Sequence, residues 1–232
     1  MPMIKSMIPR RYHYFLSNFK KSLLSGHAQM HYSQFGEDIL LSKLLPEKSG
    51  FYVDVGAHHP KRYSNTYLLY QRGWCGVIID PNPQTITLFR RVRPADVSIC
   101  AGIGSAGKKT YYRFSDPAVN TFVEDEAKRW KSKSWITFLG TEEIEIQPLA
   151  RVLGAMENPL PIDLLTIDAE GMDLEVLESN DWNTYIPKIV IVEDAAFTPD
   201  DPAQSAIYQY LANRNYRLKA YMGPSLIFQH AR

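Results

Sequence analysis

Cysteine is scarce in this chain of 232 residues. Only Cys75 and Cys100 occur, in segments that read as buried. They show neither a C-x-x-C pairing nor a zinc-like spacing, so neither a disulfide framework nor a structural zinc site can be read, and a reducing cytoplasm is the default compartment. Charge of one sign is not in excess either. The 26 Lys and Arg residues against 25 Asp and Glu give a formal net charge of +1, which offers no global electrostatic case for a nucleic-acid partner, because such binders carry a clear basic excess. No apolar run reaches the roughly 18 residues of a membrane-spanning helix. The N-terminus lacks the uninterrupted apolar segment of a secretory signal.

One absence is local. No acid occurs between Met1 and Gly36, whereas Lys5, Arg10, Arg11, Lys20 and Lys21 are interleaved with Tyr12, Tyr14, Phe15, Phe19, Leu23 and Leu24. Phe15, Phe19 and Leu23 recur at helical spacing, so residues 1–30 read as a basic amphipathic extension. Two readings fit it: a helix packed on its own domain with a solvated basic face, or a peripheral contact with an anionic membrane surface on the cytoplasmic side.

From residue 31 to the end the chain alternates between helix-like and strand-like segments. "SQFGEDILLSKLL" predicts a helix capped by Ser33 and ended by Pro46, "GFYVDVG" a strand, and "SNTYLLYQRG" a helix closing at Gly73. "GVIID" predicts the second strand, "PQTITLFRRV" a helix and "DVSICAGIG" the third strand. An insertion at about 107–147 breaks this rhythm, with strand-like "KKTYYRF" and "EIEIQP" flanking a polar excursion near a substrate mouth. The alternation returns with "IDLLTID", "MDLEVLESN", "PKIVIVED" and "PAQSAIYQYLANR". The chain closes on a hairpin, "YRLKAYMGPSLIFQH". Parallel strands need crossover connections, so the pattern implies an α/β domain with a mostly parallel sheet and an antiparallel edge.

Ligands of such sheets bind beyond the carboxyl ends of the strands. The residues at those ends are mostly acids: Asp54 with Gly56, Asp80 with Asn82, Asp168 with Glu170, and Glu193 with Asp194. An acid after the second strand suits a ribose diol, which makes Asp80 a cofactor contact. The first loop, "DVGAHHP", lacks the later glycines of a dinucleotide fingerprint and carries His58, His59 and Pro60 instead. These side chains obstruct a pyrophosphate. A ligand without phosphates, such as S-adenosylmethionine, fits the loop better.

The segments "YSQFGEDILL", "FYVDVGAHHPKRYSNTYLLYQRGWCGVIIDPNP", "LLTIDAEGMDLEVLES" and "PKIVIVED", running in order from about Tyr32 to Asp194, resemble the FkbM family of S-adenosylmethionine-dependent methyltransferases, and "GAHHP" looks like a subgroup of it. The resemblance implies a Rossmann-like class I methyltransferase fold with a seven-stranded sheet. It implies methylation of an oxygen on a sugar, polysaccharide or glycoconjugate, with a small secondary metabolite as the alternative acceptor. A non-catalytic cofactor-binding scaffold is the reading of a different class. Carried over to this chain, the family pattern puts Gln34, Asp54, Gly56, Ser64, Asp80 and Asn82 around the cofactor. It also puts Asp168 and Glu170 in the D-x-E-G motif.

Transfer to an alcohol needs a base. Three readings stay open: a carboxylate of Asp168 or Glu170, an imidazole of His58 or His59, or a divalent cation such as Mg²⁺ held by Asp168, Glu193 and Asp194. In the insertion, Tyr111, Tyr112, Phe114, Phe122, Trp130 and Trp135 either stack on a sugar or form a small satellite core, with Asn120 and Thr121 as the polar contacts.

Overall fold

A computed structural model describes residues 9–24, 29–156 and 161–231. The chain divides into two compact units, one up to His31 and one from Tyr32 onward. The first unit contains helix α1 (Arg10–Leu24). On it Tyr14, Phe15 and Phe19 are exposed, and the rings of Phe15 and Phe19 lie 6.2 Å apart. Lys5 of the basic extension lies outside the described residues.

The second unit is built on a seven-stranded sheet. Its strands are β1 (Phe51–Val55), β2 (Cys75–Asp80), β3 (Val97–Cys100), β7 (Leu164–Ile167), β8 (Ile189–Glu193), β9 (Tyr216–Met222) and β10 (Ser225–His230). They lie in the order β3-β2-β1-β7-β8-β10-β9. All neighbours are parallel except β10, which runs antiparallel to both β8 and β9. This is the mostly parallel sheet with a C-terminal antiparallel hairpin that the alternating pattern predicts. The strand order reverses between β1 and β7, which sets the switch point there.

Central strands β1, β7 and most of β8 are buried on both faces, which explains why they read as continuous apolar runs rather than as alternating ones. The two-residue period sends Phe51, Val53, Val55, Val77, Ile79, Leu165 and Ile167 to one core. Tyr52, Ile78, Leu164 and Ile191 go to the other, under Leu41, Leu69, Trp74 and Phe89.

Helices α2 (Glu37–Leu44), α3 (Tyr67–Gln71) and α4 (Pro83–Val92) cover the first half of the sheet sequence, and α6 (Leu149–Gly154), α7 (Asp173–Glu178) and α8 (Ala206–Ala212) the second. In α4 the Asn82 side chain accepts from the Gln84 N–H at 2.9 Å, Pro83 opens the first turn, and Thr85, Ile86 and Phe89 are buried. In α2 the expected cap is displaced. The helix begins at Glu37 after Gly36 (φ 90), and Ser33 instead accepts from Asp38 N and donates to its carboxylate at 2.8 Å.

The third predicted strand divides in two. After Cys100 the chain leaves the main sheet, and β4 (Gly102–Ile103) joins a second sheet, β4-β6-β5, with β5 (Gly107–Phe114) and β6 (Phe138–Gln147). Because β3 is an edge strand, Cys100 at its end is exposed, and Cys75, which opens β2 ahead of the first residue that β3 covers, is only half-buried, contrary to the expectation that both are buried. Helix α5 (Glu124–Lys131) fills the excursion between β5 and β6. The inserted sheet is tied to the main domain by Lys109, whose Nζ lies 2.6 Å from the Glu175 carboxylate on α7.

Candidate active site

The carboxyl ends of β1, β2, β7 and β8 bring the predicted acids together. β1 and β7 meet closely at Gly56 (φ 78), where an added Cβ would lie 1.7 Å from the Asp168 carbonyl oxygen. Only glycine lets the chain turn there without prying the two strand ends apart.

The loop after β1 is built on its polar groups. His58 adopts a left-handed backbone (φ 50) and donates its N–H to Asp80 Oδ2 at 3.1 Å, while Asn82 N donates to Asp80 Oδ1 at 2.8 Å. His59 organises the next turn, since its Nδ1 accepts from the N–H groups of Lys61 (3.1 Å) and Arg62 (3.0 Å). The His58 ring is different. Its Nε2 lies 3.3 Å from the Arg62 guanidinium, while its buried Nδ1 has no partner among the described residues. Arginine can only donate, so Nε2 is the acceptor and Nδ1 carries the proton. Burial, aided by Arg62, lowers the His58 pKa, which keeps the ring neutral.

Burial raises the Asp54 and Asp80 carboxyls to about 6 each. Beneath Asp54 lies a network that the sequence did not suggest. Arg93, fully buried, pairs with Asp96 at 2.7 Å, donates to the Tyr52 hydroxyl at 2.7 Å and reaches Thr66 Oγ1 at 3.1 Å. Thr66 in turn donates to Asp54 at 2.6 Å. Ser64 belongs to this buried layer: its Oγ accepts from Tyr67 N at 3.1 Å and lies 3.4 Å from Arg93. At the end of α4 and just beyond it, "RRVRPAD" looks like an ordinary basic helix end, so only the fold reveals the network.

At the end of β7, Asp168 and Glu170 are half-buried, and Glu170 has a left-handed backbone (φ 48). Asp173, absent from the predicted site, shapes this loop by accepting from Ala169 N (3.0 Å) and Gly171 N (3.2 Å). Burial and the neighbouring Glu193 raise Asp168 well above the ordinary carboxylate range. The same causes push Glu170 up to about 8. Glu193 rises to about 7, through burial and then Asp173 and Glu37.

Glu193 and Asp194 do not act as a pair. Successive residues of an extended chain point to opposite sides, and Asp194 turns to Ser205 Oγ at 2.5 Å and Ala196 N at 3.0 Å. The expected metal set of Asp168, Glu193 and Asp194 is therefore not assembled, and no cluster of three such ligands occurs among the described residues. Gln34 is exposed. Asp38 is buried and tied to Tyr32 N at 2.7 Å.

The insertion lies against these strand ends. Thr121 Oγ1 donates to the Glu170 carbonyl at 2.8 Å, Arg129 and Glu126 of α5 bear on the Glu170 carboxyl, and Asp116 bears on His58. Tyr111, packed on Phe122 at 4.6 Å, feels the charge of Asp80. Asn120 accepts from Phe114 N at 2.8 Å. Phe114, Val119, Ala127 and Ile136 form a satellite core on which Tyr112 and Trp130 pack, while Trp135 is exposed.

A strand order that reverses between β1 and β7, with acids at the ends of β1, β2 and β7, is the arrangement with which an open α/β sheet holds a nucleoside-bearing cofactor. A family model for the methyltransferase FkbM domain matches residues 54–218, so the chain belongs to the FkbM methyltransferase family. The matched region starts at Asp54, beyond the "YSQFGEDILL" segment, and extends past Asp194 to Leu218.

Among solved structures, a TehB-like SAM-dependent methyltransferase from Corynebacterium glutamicum is similar at 9% identity, covering 96% of this chain and all of that one, with a TM-score of 0.42. A precorrin-6y C5,15-methyltransferase from Geobacter metallireducens is similar at 13% identity over 83% and 86% of the two chains, with a TM-score of 0.41. No curated protein matches the chain.

Proposed function

We propose that the protein transfers the methyl group of S-adenosylmethionine to a hydroxyl of a sugar, polysaccharide or glycoconjugate. The observation that carries this reading is the cluster of Asp168, Glu170 and Glu193, half-buried carboxyls beneath the inserted segment whose pKa values are all raised by burial, those of Asp168 and Glu170 further by the charge of Glu193. A carboxyl with a pKa near the working pH is suited to take up an alcohol proton.

The residues fit the cofactor. Asp80 accepts two backbone N–H groups and keeps lone pairs for the two hydroxyls of a ribose. The orphaned Nδ1–H of His58 is a donor in want of an acceptor, and the methionine carboxylate supplies one. His58 is thus a binding group and not the base, while the His59 Nδ1 is engaged with the loop backbone. When bound, S-adenosylmethionine supplies an electrophilic methyl on a cationic sulfur. The surrounding acids favour that positive charge. It in turn holds their protons less tightly, leaving Glu170 or Asp168 ionised and able to receive the hydroxyl proton. Orienting the acceptor falls to the insertion, where exposed Trp135 offers a flat face.

The test is transfer of labelled methyl to a panel of glycans and small phenolic or aliphatic alcohols. Labelled glycan is the expected product. Labelling of the small alcohols alone would replace the glycan reading, and Asp168→Ala that still turns over would remove Asp168 from the mechanism.

A further inference from the structure

A second cavity lies far from the transfer site. It has a volume of about 620 Å³, within the range of small-ligand sites. Its walls come from the chain after α7, the end of α8, the start of β9 and the end of β10. Since β10 is antiparallel to β8, these residues sit at the amino end of β8, and the acids sit at its carboxyl end.

The chemistry of the walls is specific. Trp182 stands edge-on to Tyr210 and Tyr216, at 6.1 and 5.5 Å. All three rings already satisfy their polar atoms inward, Trp182 Nε1 and the Tyr210 hydroxyl on the Leu177 carbonyl and the Tyr216 hydroxyl on that of Pro187. What they leave to the cavity is carbon surface.

Beside the rings are the amides of Asn180, Asn183, Asn213 and Asn215. Asn180 is the telling one. It is 8% exposed, its Nδ2 donates to Tyr185 O at 3.0 Å, and its buried Oδ1 accepts from nothing among the described residues. A buried acceptor of this kind calls for a donor from outside. Arg214 lies flat on Tyr210, 3.5 Å from the ring centroid, and is balanced by Glu178 and Asp181, so the cavity has no cationic excess for a phosphate. Aromatic carbon surface, amides that both donate and accept, and balanced charge together match a ligand with C–H faces and neutral hydroxyls.

We infer that this cavity is a saccharide-binding site, separate from the transfer site, that holds a neutral sugar unit by stacking on Trp182, by hydrogen bonds from the Arg214 guanidinium that caps Tyr210, and by a hydroxyl donated to Asn180 Oδ1. Sugar binding here does not depend on catalysis. Only its use, anchoring one part of a glycan while another part reaches the acids, rests on the glycan acceptor proposed above.

The experiment is a titration of the whole protein with neutral trisaccharides of glucose, galactose, mannose and N-acetylglucosamine, followed by the tryptophan indole N–H signals in NMR. The Trp182 signal is identified as the one lost in Trp182→Phe. At least one sugar should shift that signal, Arg214→Ala should bind it about tenfold more weakly, and S-adenosylmethionine affinity should not change. Where Trp182→Phe proves unstable, Arg214→Ala alone decides. Binding that leaves every indole signal in place, binding equally tight in Arg214→Ala, or no binding of any of the four sugars at millimolar concentration overturns the inference. Sugar binding without methyl transfer would leave the cavity's role intact and sink the acceptor proposal alone.

Discussion

Glu170 makes the ligand-free protein lose stability as the solution becomes more alkaline. Its carboxyl titrates near 8 in the folded protein, against an ordinary value of 4.5, so between these values the folded state holds a proton that the unfolded state has released. A raised folded pKa gives a contribution present at low pH and lost as pH rises through the folded value. From about pH 6.5 to 8.5 Glu170 alone accounts for about 2 kcal/mol, and Glu193, with a folded value near 7, adds roughly 1 kcal/mol, as upper limits because the two titrate together. The two histidines of the site stay out of this window: burial lowers the pKa values of His58 and His59, so both rings are largely neutral above 6.5.

For a domain of this size about 3 kcal/mol corresponds to a melting temperature lower by roughly 5–10 °C. Thermal melts across that range should show this fall, Glu170→Gln should remove most of it, and saturating S-adenosylmethionine should reduce it by supplying a positive charge. Stability that is flat or rising over the range, or an unchanged slope in Glu170→Gln, would refute the electrostatic account of the site.

The same cluster predicts that S-adenosylmethionine binds more tightly as pH rises from 6 to 8, measured by calorimetry, because ionised acids attract the sulfonium. Asp80→Ala should weaken that binding severely, whereas Asp168→Ala should abolish turnover and leave affinity within a few fold. Arg93→Met should cost about 3–5 kcal/mol in chemical denaturation, since it strands Asp96 in the core, and Arg93→Lys should not restore the fork of bonds to Tyr52, Thr66 and Asp96. Gly56→Ala should give a protein that folds poorly or fails to bind cofactor, as its methyl has no space against Asp168.

Much of this arrangement was legible in the sequence because the central strands are buried on both faces and bounded by caps and turns. β1, β2 and β8 stand where their apolar runs lie, and α4 spans Pro83–Val92 as its asparagine, proline and apolar spacing indicate. "DVSICAGIG" was misleading for a physical reason: an apolar run does not record that the chain changes sheets after Cys100. The strand-end acids were visible, but their partition was not. Glu193 and Asp194 look equivalent until strand alternation sends one toward Asp168 and the other to Ser205. Nor could any local pattern predict that Thr66 and Arg93 would support Asp54 from below.

The way the insertion is fastened has a further consequence for how this enzyme can change. It meets the acids through the Thr121 hydroxyl on a backbone carbonyl and is tied to α7 by the Lys109–Glu175 pair, while Asp80, Gly56 and the Arg93 layer belong to the main sheet and its helices. On the reading proposed above, the insertion orients the acceptor and the main sheet holds the cofactor, so the two tasks fall to different parts of one chain. Residues 107–147 then form a unit whose exchange, between relatives that keep the Thr121 and Lys109 contacts and the packing of Phe122 and Val123 on the main core, is a route to new acceptors with the methyl-donor half left as it is.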